Sequence, residues 1–363
     1  MKKFVLSIAG MLAVIPLGGQ APQPRAELEP TGGRGLTEVQ GIKVGSHTLT
    51  ERPTGCTVIL VEGEGVPGGV SQRGAAPATA ETDLLHPLNM VDKVNAVVLS
   101  GGSAFGLETR QGVMRFLEER SIGWKVASGV VPIVPQAAIF DLSVGGRADV
   151  RPNADCGYRA AGAASSAPVA EGNVGAGAGG TVGKMGDRRM MKGGLGSAAI
   201  AWPNGLVVAA IAATNGVGDV IDPSTGMVVA GVRTADGKGL ADIRKLLLSG
   251  ELFKAPQPRA AENTTIALVA TNARLTKTEI NRVALMADDG FARAIYPSHT
   301  TGDGDTVFAL ATGRWEGQAN VTVIGALAAE ALSEAVVRAV SKADSIPGIP
   351  SAKELGTVPK RLR

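Results

Sequence analysis

The chain has 363 residues, enough for one large domain or two smaller ones, and its 44% apolar but only 3% aromatic content requires a core of Ala, Val, Leu and Ile. Fifty glycines interspersed with apolar runs, without a three-residue period, exclude a collagen-like fibre and point to a globular α/β protein with many tight turns. The formal net charge of +3 comes from scattered basic residues, and no basic stripe is interleaved with stacking aromatics, so a nucleic-acid footprint is excluded.

In chain order, Met1 to Leu17 has a short cationic start and an apolar run too short to span a bilayer comfortably. Gly19 and Ala21 offer small residues at the positions a signal peptidase reads, so residues 1–21 are expected to be a removed export signal, with an uncleaved anchor as the alternative. The mature protein is then periplasmic or secreted, not membrane-inserted, and residues 22–35 read as a flexible lead-in. Cys56 to Val61 reads as a buried strand, and Gly65 to Ala80 as a Gly/Pro/Ala loop. Asn95 to Leu99 is a second apolar strand that runs into Ser100–Gly106. The stripe of Leu107, Val113, Met114, Phe116 and Leu117 then predicts a helix ending near Gly123. Strand, glycine turn and helix place Ser103 near a helix N-terminus, where free N–H groups attract carboxylate or carbonyl oxygen.

Gly172 to Gly196 is the densest glycine segment. It fails the P-loop pattern, because Ala178 stands where a glycine is needed and Met185 follows Lys184. It also fails a dinucleotide fingerprint, so close backbone packing around a pocket is the better reading. Leu206 to Ala213 is a strand feeding Thr214, Asn215 and Gly216. Residues 218–262 form a long, mostly polar excursion with one helix over Ala241–Leu248 and a Pro-rich end.

That tether leads directly into Asn263, Thr264 and Thr265 and then a strand-like run, Ile266 to Thr271. A threonine inside a chain has no base of its own. If the Asn263–Thr264 bond is cut, Thr264 carries an α-amine with an intrinsic pKa of roughly 7.7–8 that can serve as one. The alternative is a Thr-Thr pair that merely opens a strand, as β-branched residues often do. Further on, Thr276 and Glu279 make a capping box for a helix bearing Ile280, Val283, Ala284 and Ala287. Thr306 to Thr312 is a strand, and Val321 to about Lys342 an Ala-rich amphipathic helix. Cys56 and Cys156 are either a bridge or two buried thiols, and nothing around them has metal-ligand spacing. His47, His86 and His299 make no triad, and no nucleophile elbow is present.

Five blocks together resemble the DmpA family, the L-aminopeptidase/D-Ala-esterase-amidases and β-peptidyl aminopeptidases. They are Arg73–Pro77 with Glu81–Leu85, Leu99–Leu107, Val131–Pro135 with Ile139–Leu142, Gly172–Gly196, and Asn263–Thr265 with Asp303–Thr306. They run in family order over roughly residues 36–340. The resemblance implies a four-layer αββα sandwich, also seen in ornithine acetyltransferase, in one catalytic domain over 36–345. It implies a precursor cut into a long piece (about 22–263) and a short one (264–363) that associate as a tetramer of such pairs. No cofactor is expected.

By the same resemblance Thr264 matches the nucleophile, Asn263 the residue before the cut and Asn215 an oxyanion-hole amide. Asp303 and Asp305 stand where the β-peptidases have Ser and Glu, a departure that leaves β-peptide cleavage open, as does threonine in place of serine. One aspartate would bind the substrate ammonium and the other orient the Thr264 amine, the alternative being a Gly-Asp hairpin turn. Gly101, Gly102, Ser103 and Phe105 are the expected substrate-binding positions. The family's tyrosine donor has no match, since Tyr158 and Tyr296 lie outside the Val131–Leu142 block. The function expected is an aminopeptidase or amidase releasing small N-terminal residues from peptides, amides or esters. The competing expectations are an acyltransferase on the same fold and a non-catalytic exported binding protein.

Overall fold

A computed structural model describes residues 33–185, 190–253 and 262–362. The expected export signal, the lead-in up to residue 32 and the tether over 254–261 lie outside the described residues.

The first half of the chain carries β1 (Ile42–Thr48), β2 (Gly55–Val61), β3 (Val66–Gln72), β4 (Thr79–Ala80), β5 (Lys93–Val94), β6 (Ala96–Ser100), α1 (Thr109–Glu118), the hairpin β7 (Trp124–Val126) and β8 (Gly129–Val131), β9 (Gln136–Ala138) and α2 (Ala154–Gly162). Then follow β10 (Thr181–Val182), β11 (Met191–Lys192), β12 (Gly194–Ala201), β13 (Val207–Thr214), β14 (Asp219–Ile221), β15 (Val228–Ala230) and α3 (Ile243–Leu248). The last part has β16 (Ile266–Thr271), α4 (Lys277–Ala287), α5 (Asp289–Ala294), β17 (Ile295–Tyr296), β18 (Thr306–Ala311) and α6 (Val321–Lys342).

One sheet has the order β1-β2-β6-β9-β4 and the other β12-β13-β16-β18-β3-β5. Strand period two explains how both faces of each are covered. In β2, Cys56 and Val58 turn towards Val113 of α1 and Ala160 of α2, whereas Ile59 and Val61 turn towards the other sheet. In β13, Ala209, Ile211 and Ala213 share that inter-sheet core with Leu268 and Phe308, while Val208, Ala210 and Ala212 pack under α4 and α6. Helices, sheet, sheet, helices give the expected αββα sandwich.

Small residues let these layers approach closely. A Cβ on Gly196 would lie 2.2 Å from the Ala335 carbonyl oxygen of α6, so the glycine belt packs strand backbone onto helix backbone. Helix α4 begins with the anticipated capping box, Thr276 and Glu279 bonding reciprocally. The structure also joins Cys56 to Cys156 in a disulfide, from the outer face of β2 to α2.

Three expectations need correction. The segment read as a loop over Gly65–Ala80 contains β3, a strand of the second sheet paired to β18. Its glycines and Pro67 mask the periodicity, but Asn281 of α4 accepts the Val70 N–H at 3.2 Å and the ladder overrides local propensity. The excursion after residue 218 is not simply polar surface. Val220, Val229, Ala230 and Val232 are buried, and the Asp219 carboxylate takes the N–H groups of Val232 and Ile243 at 2.7 and 2.8 Å. Packing also continues past 345, since Ala352, Val358 and Leu362 belong to the α4–α6 core.

Candidate active site

The second sheet brings distant residues to one end. β16 and β18 run parallel with Ile266 opposite Thr306, so the residues that precede each strand emerge side by side, and Asn263 bridges to Asp303. β13 is antiparallel to β16 with Ala213 opposite Ile266, so Asn215, just beyond its end, reaches the same place. β3 is antiparallel to β18 with Gln72 opposite Thr306, which delivers Arg73 and Gly74.

Thr264 is buried there, 3% exposed. Its hydroxyl donates to the carbonyl oxygen of Asn263 at 2.5 Å, and its N–H donates to the Asn215 carbonyl at 3.1 Å. The same Asn263 oxygen also accepts the Gly304 N–H at 3.0 Å. Only glycine fits at 304: a Cβ would stand 2.6 Å from the Ala76 carbonyl oxygen and 2.9 Å from the Thr264 hydroxyl oxygen.

The two aspartates are buried but differently engaged. Asp305 uses both oxygens, one accepting the Thr265 N–H at 2.8 Å and the other the His299 N–H at 3.0 Å. Asp303 accepts the N–H and hydroxyl of Thr300 on one oxygen, at 3.0 and 2.6 Å. Its other oxygen, Oδ1, has no hydrogen-bond partner among the described residues. Burial first, then the adjacent charge of Asp305, pushes the Asp303 pKa up to about 6.

Asn215 is fully buried and its side chain is committed. Its Nδ2 donates to the Phe140 carbonyl at 3.0 Å, and its Oδ1 accepts the Thr181 N–H at 3.1 Å. The contact to Thr264 in the uncut chain is thus made by the Asn215 main-chain oxygen. Lys184 was not foreseen as a site residue. Its Nζ donates to Asn215 Oδ1 at 2.7 Å, to the Asn215 carbonyl at 3.0 Å and to the Glu262 carbonyl at 3.2 Å. A lysine placed in a glycine belt must find such partners, which is the signal the sequence carried; Lys192 in the same belt finds the carbonyls of Gly177, Gly180 and Gly193 instead.

The structure does not bring the second block to Thr264 directly. The N–H groups of Gly101, Gly102 and Ser103 are taken by Gly55, the Asp141 carboxylate and the Ile139 carbonyl, each at 2.9 Å. The carboxylate expected at this turn is therefore the protein's own Asp141, itself clamped by buried Arg52 at 2.9 Å. Asp141 follows Phe140, whose carbonyl accepts from Asn215, so among the described residues the block is linked to the site through Asn215. Phe105 is exposed beneath the Arg151 guanidinium. Two surface clefts, one under Trp124 and one beside Trp315, are lined by none of these residues. Among the described residues no His, Cys, Asp and Glu group is placed to hold a metal, and no helix is long and apolar enough to cross a membrane.

Two face-packed sheets between helical layers, with a threonine at the mouth of a central strand, define a sandwich of the Ntn hydrolase kind. The sequence profile of Peptidase family S58 matches residues 34–353, and the chain belongs to that family. It is similar to an uncharacterized aminopeptidase of Mycobacterium leprae, with 43% identity over 344 residues covering 87% of this chain and 92% of the relative. Among solved structures it resembles a Burkholderia sp. beta-aminopeptidase, with TM-score 0.68 and 22% identity over 92% of this chain and 94% of that one. It also resembles the L-aminopeptidase D-Ala-esterase/amidase of Ochrobactrum anthropi, described as a variant of the Ntn hydrolase fold. There the TM-score is 0.64 with 18% identity over 90% and 95% of the two chains. The anticipated family and fold are borne out, and the chain is a hydrolase of the peptidase/amidase class.

Proposed function

We propose that this chain is an exported, self-processing aminopeptidase/amidase whose nucleophile is Thr264 after cleavage of the Asn263–Thr264 bond. The observation that carries this reading is the Thr264 hydroxyl held against the carbonyl of the preceding residue, with Gly304 N–H on the same oxygen. Attack of Oγ on the Asn263 carbon puts negative charge on an oxygen that already has a donor. The C–N bond then breaks, the Thr264 nitrogen takes up the proton, and an ester joins Asn263 to Thr264 Oγ. Water hydrolyses that ester to an Asn263 carboxylate and a free N-terminal threonine.

In turnover the free amine accepts the Oγ proton while Oγ attacks the substrate acyl carbon. The departing amine takes a proton, and water resolves the acyl-enzyme. Asn215, with Lys184 bonded to its Oδ1, is the expected source of a side-chain amide for the substrate oxyanion once the segment ending at Asn263 is released. The engagement of the aspartates divides their roles. Asp305, with both oxygens bonded, orients the Thr264–Thr265 segment; Asp303, with an unpartnered oxygen, binds the substrate's ammonium group.

Small N-terminal residues are the expected substrates, as peptides, amides or esters, since aromatics to line a large pocket are scarce. Export is supported by the apolar N-terminus and by the Cys56–Cys156 disulfide, which suits an oxidising compartment. A tetramer of cleaved pairs is carried as part of this proposal, to be read from native mass.

The test is an intact-mass measurement with N-terminal sequencing of the purified protein. Two pieces divided between Asn263 and Thr264 are expected; a fully active single chain, or a cut elsewhere, overturns the reading.

A further inference from the structure

His299 has no role in the chemistry above, yet it stands directly behind it. Its backbone is left-handed at φ +55°, a conformation that non-glycine residues adopt at some cost and keep only when their surroundings fix it. What fixes it is the Asp305 carboxylate, which accepts the His299 N–H at 3.0 Å. The ring then turns back between two buried acids. Its Nδ1 lies 3.1 Å from Asp305 Oδ2 and its Nε2 lies 3.5 Å from Asp288 Oδ1. Neither contact has hydrogen-bond alignment, so both are charge contacts across short gaps.

The surroundings make that charge matter. Asp288 caps the end of α4 and is fully buried, with Ser71 donating to its other oxygen at 2.6 Å. The remaining cation near it, Arg73, is 3.5 Å from Asp288, is partly exposed and also pairs with Asp289. Asp305 has Asp303 as its acidic neighbour, which Lys184 partly offsets. The Phe291 ring, 6.3 Å from the imidazole centroid, closes the apolar side. Two buried carboxylates without a cation between them would be strongly unfavourable.

We propose that His299 is a positioning residue, an imidazolium brace between Asp288 and Asp305 that holds the Asp305 carboxylate on the Thr265 N–H and thereby keeps Thr264 seated against Gly304. The inference rests on the reading of Thr264 as nucleophile. Burial by itself would discharge the ring, but Asp305 and Asp288 outweigh it and the opposing Arg73, so its pKa is held above the ordinary histidine value. The brace therefore persists to a higher pH than an ordinary histidine would allow and is lost as pH rises through that raised value. Loss of the brace misplaces the nucleophile, so the alkaline fall appears in kcat and leaves KM nearly unchanged.

The chain has only three histidines, His47, His86 and His299, so histidine labelled with 13C at Cε1 gives three signals, and His47→Gln and His86→Gln assign that of His299 by elimination. In the processed wild-type protein the His299 signal should titrate above 6.5, with its midpoint coinciding with the alkaline limb of kcat. His299→Gln should lower kcat by about 10–10²-fold and abolish that limb. His299→Lys, which keeps a cation, should restore part of kcat and move the limb towards about pH 10. A midpoint at or below 6.5, a wild-type limb that does not follow the titration, or a pH profile of His299→Gln that matches wild type would overturn the proposal. The first two readings need no change at His299 and hold even if His299→Gln folds poorly. Processing is scored on the same wild-type sample. An active but uncut chain would remove the nucleophile reading and this inference together, whereas a cut enzyme with an indifferent His299 would remove this inference alone.

Discussion

Gly304→Ala is the most incisive perturbation, because it adds one methyl group at the point where the chain is proposed to cut itself. The new Cβ would sit 2.6 Å from the Ala76 carbonyl oxygen, 2.9 Å from Thr264 Oγ and 3.0 Å from Pro77 Cα. Two of those three neighbours are backbone, and the Ala76 N–H is itself tied to the Asp303 carbonyl at 2.8 Å, so the strain cannot be relieved by rotating a side chain. Residue 304 must retreat, and its N–H leaves the Asn263 oxygen. Overpacking of this kind costs about 1–3 kcal/mol of stability. At roughly 2–4 °C per kcal/mol, the variant should lose about 2–12 °C in Tm and still fold. Loss of an oxyanion donor raises a barrier by about 2.7–4 kcal/mol, so processing should slow by about 10²–10³-fold. The assay is cell-free synthesis followed by an intact-mass time course, with Thr264→Ala as the uncut reference. Cleavage of Gly304→Ala at the wild-type rate would refute both the donor assignment and the crowding argument.

Four further outcomes are expected. Thr264→Ala should remain a single chain with no turnover, while Thr264→Ser should still be cut, both read by intact mass. Asp303, raised to about pH 6, is neutral below that value and loses its hold on an ammonium group, so KM for free-amine substrates should climb as pH falls through about 6. Asp303→Asn should raise KM at neutral pH and flatten that dependence; an unchanged KM profile would take Asp303 out of substrate binding. The same raised value means that the stability Asp303 contributes is complete below its ordinary carboxylate pKa and is lost as pH rises through about 6, so Asp303→Asn should gain in Tm most clearly above that pH. Replacing Cys56 and Cys156 by serine should lower stability by about 2–5 kcal/mol in a denaturant titration, since the bridge closes a loop of 100 residues.

Much of the framework was legible because strands covered on both faces keep continuous apolar runs in the sequence. Ile266–Thr271, Leu206–Ala213 and Thr306–Thr312 each announce a strand covered on both faces, and Thr276 with Glu279 announces a helix start. β3 was hidden because its glycines and Pro67 carry turn propensity, and only its pairing to β18 and its contact with α4 make it a strand. Gly304, Lys184 and His299 were illegible as site residues for a different reason. Gly304 matters through a main-chain N–H, which no side chain advertises. Lys184 and His299 matter through partners 31 and 6 residues away, and that proximity exists only once β13, β16 and β18 end together.

The same convergence bears on how a buried threonine can become a working nucleophile. Before the cut, Asn263 and Thr264 are nearly inaccessible, and Lys184 ties the Glu262 carbonyl to Asn215. The proposed cleavage turns the Asn263 carbonyl into a carboxylate in the parallel bridge to Asp303, beside Asp305. Three acids then crowd a water-poor space whose nearby cations are Lys184, the proposed His299 imidazolium and, partly exposed on Asp288, Arg73, an arrangement that disfavours keeping the new terminus in place. The uncharged Asn263 of the precursor can stay; its charged product is driven out. The place it vacates offers the unpartnered oxygen of Asp303 and the newly exposed Thr264 amine to a substrate that brings a positive charge instead of a negative one. On this argument, making the nucleophile and opening its pocket are one electrostatic event, and selection for a free N-terminal ammonium follows from the charge that maturation leaves behind.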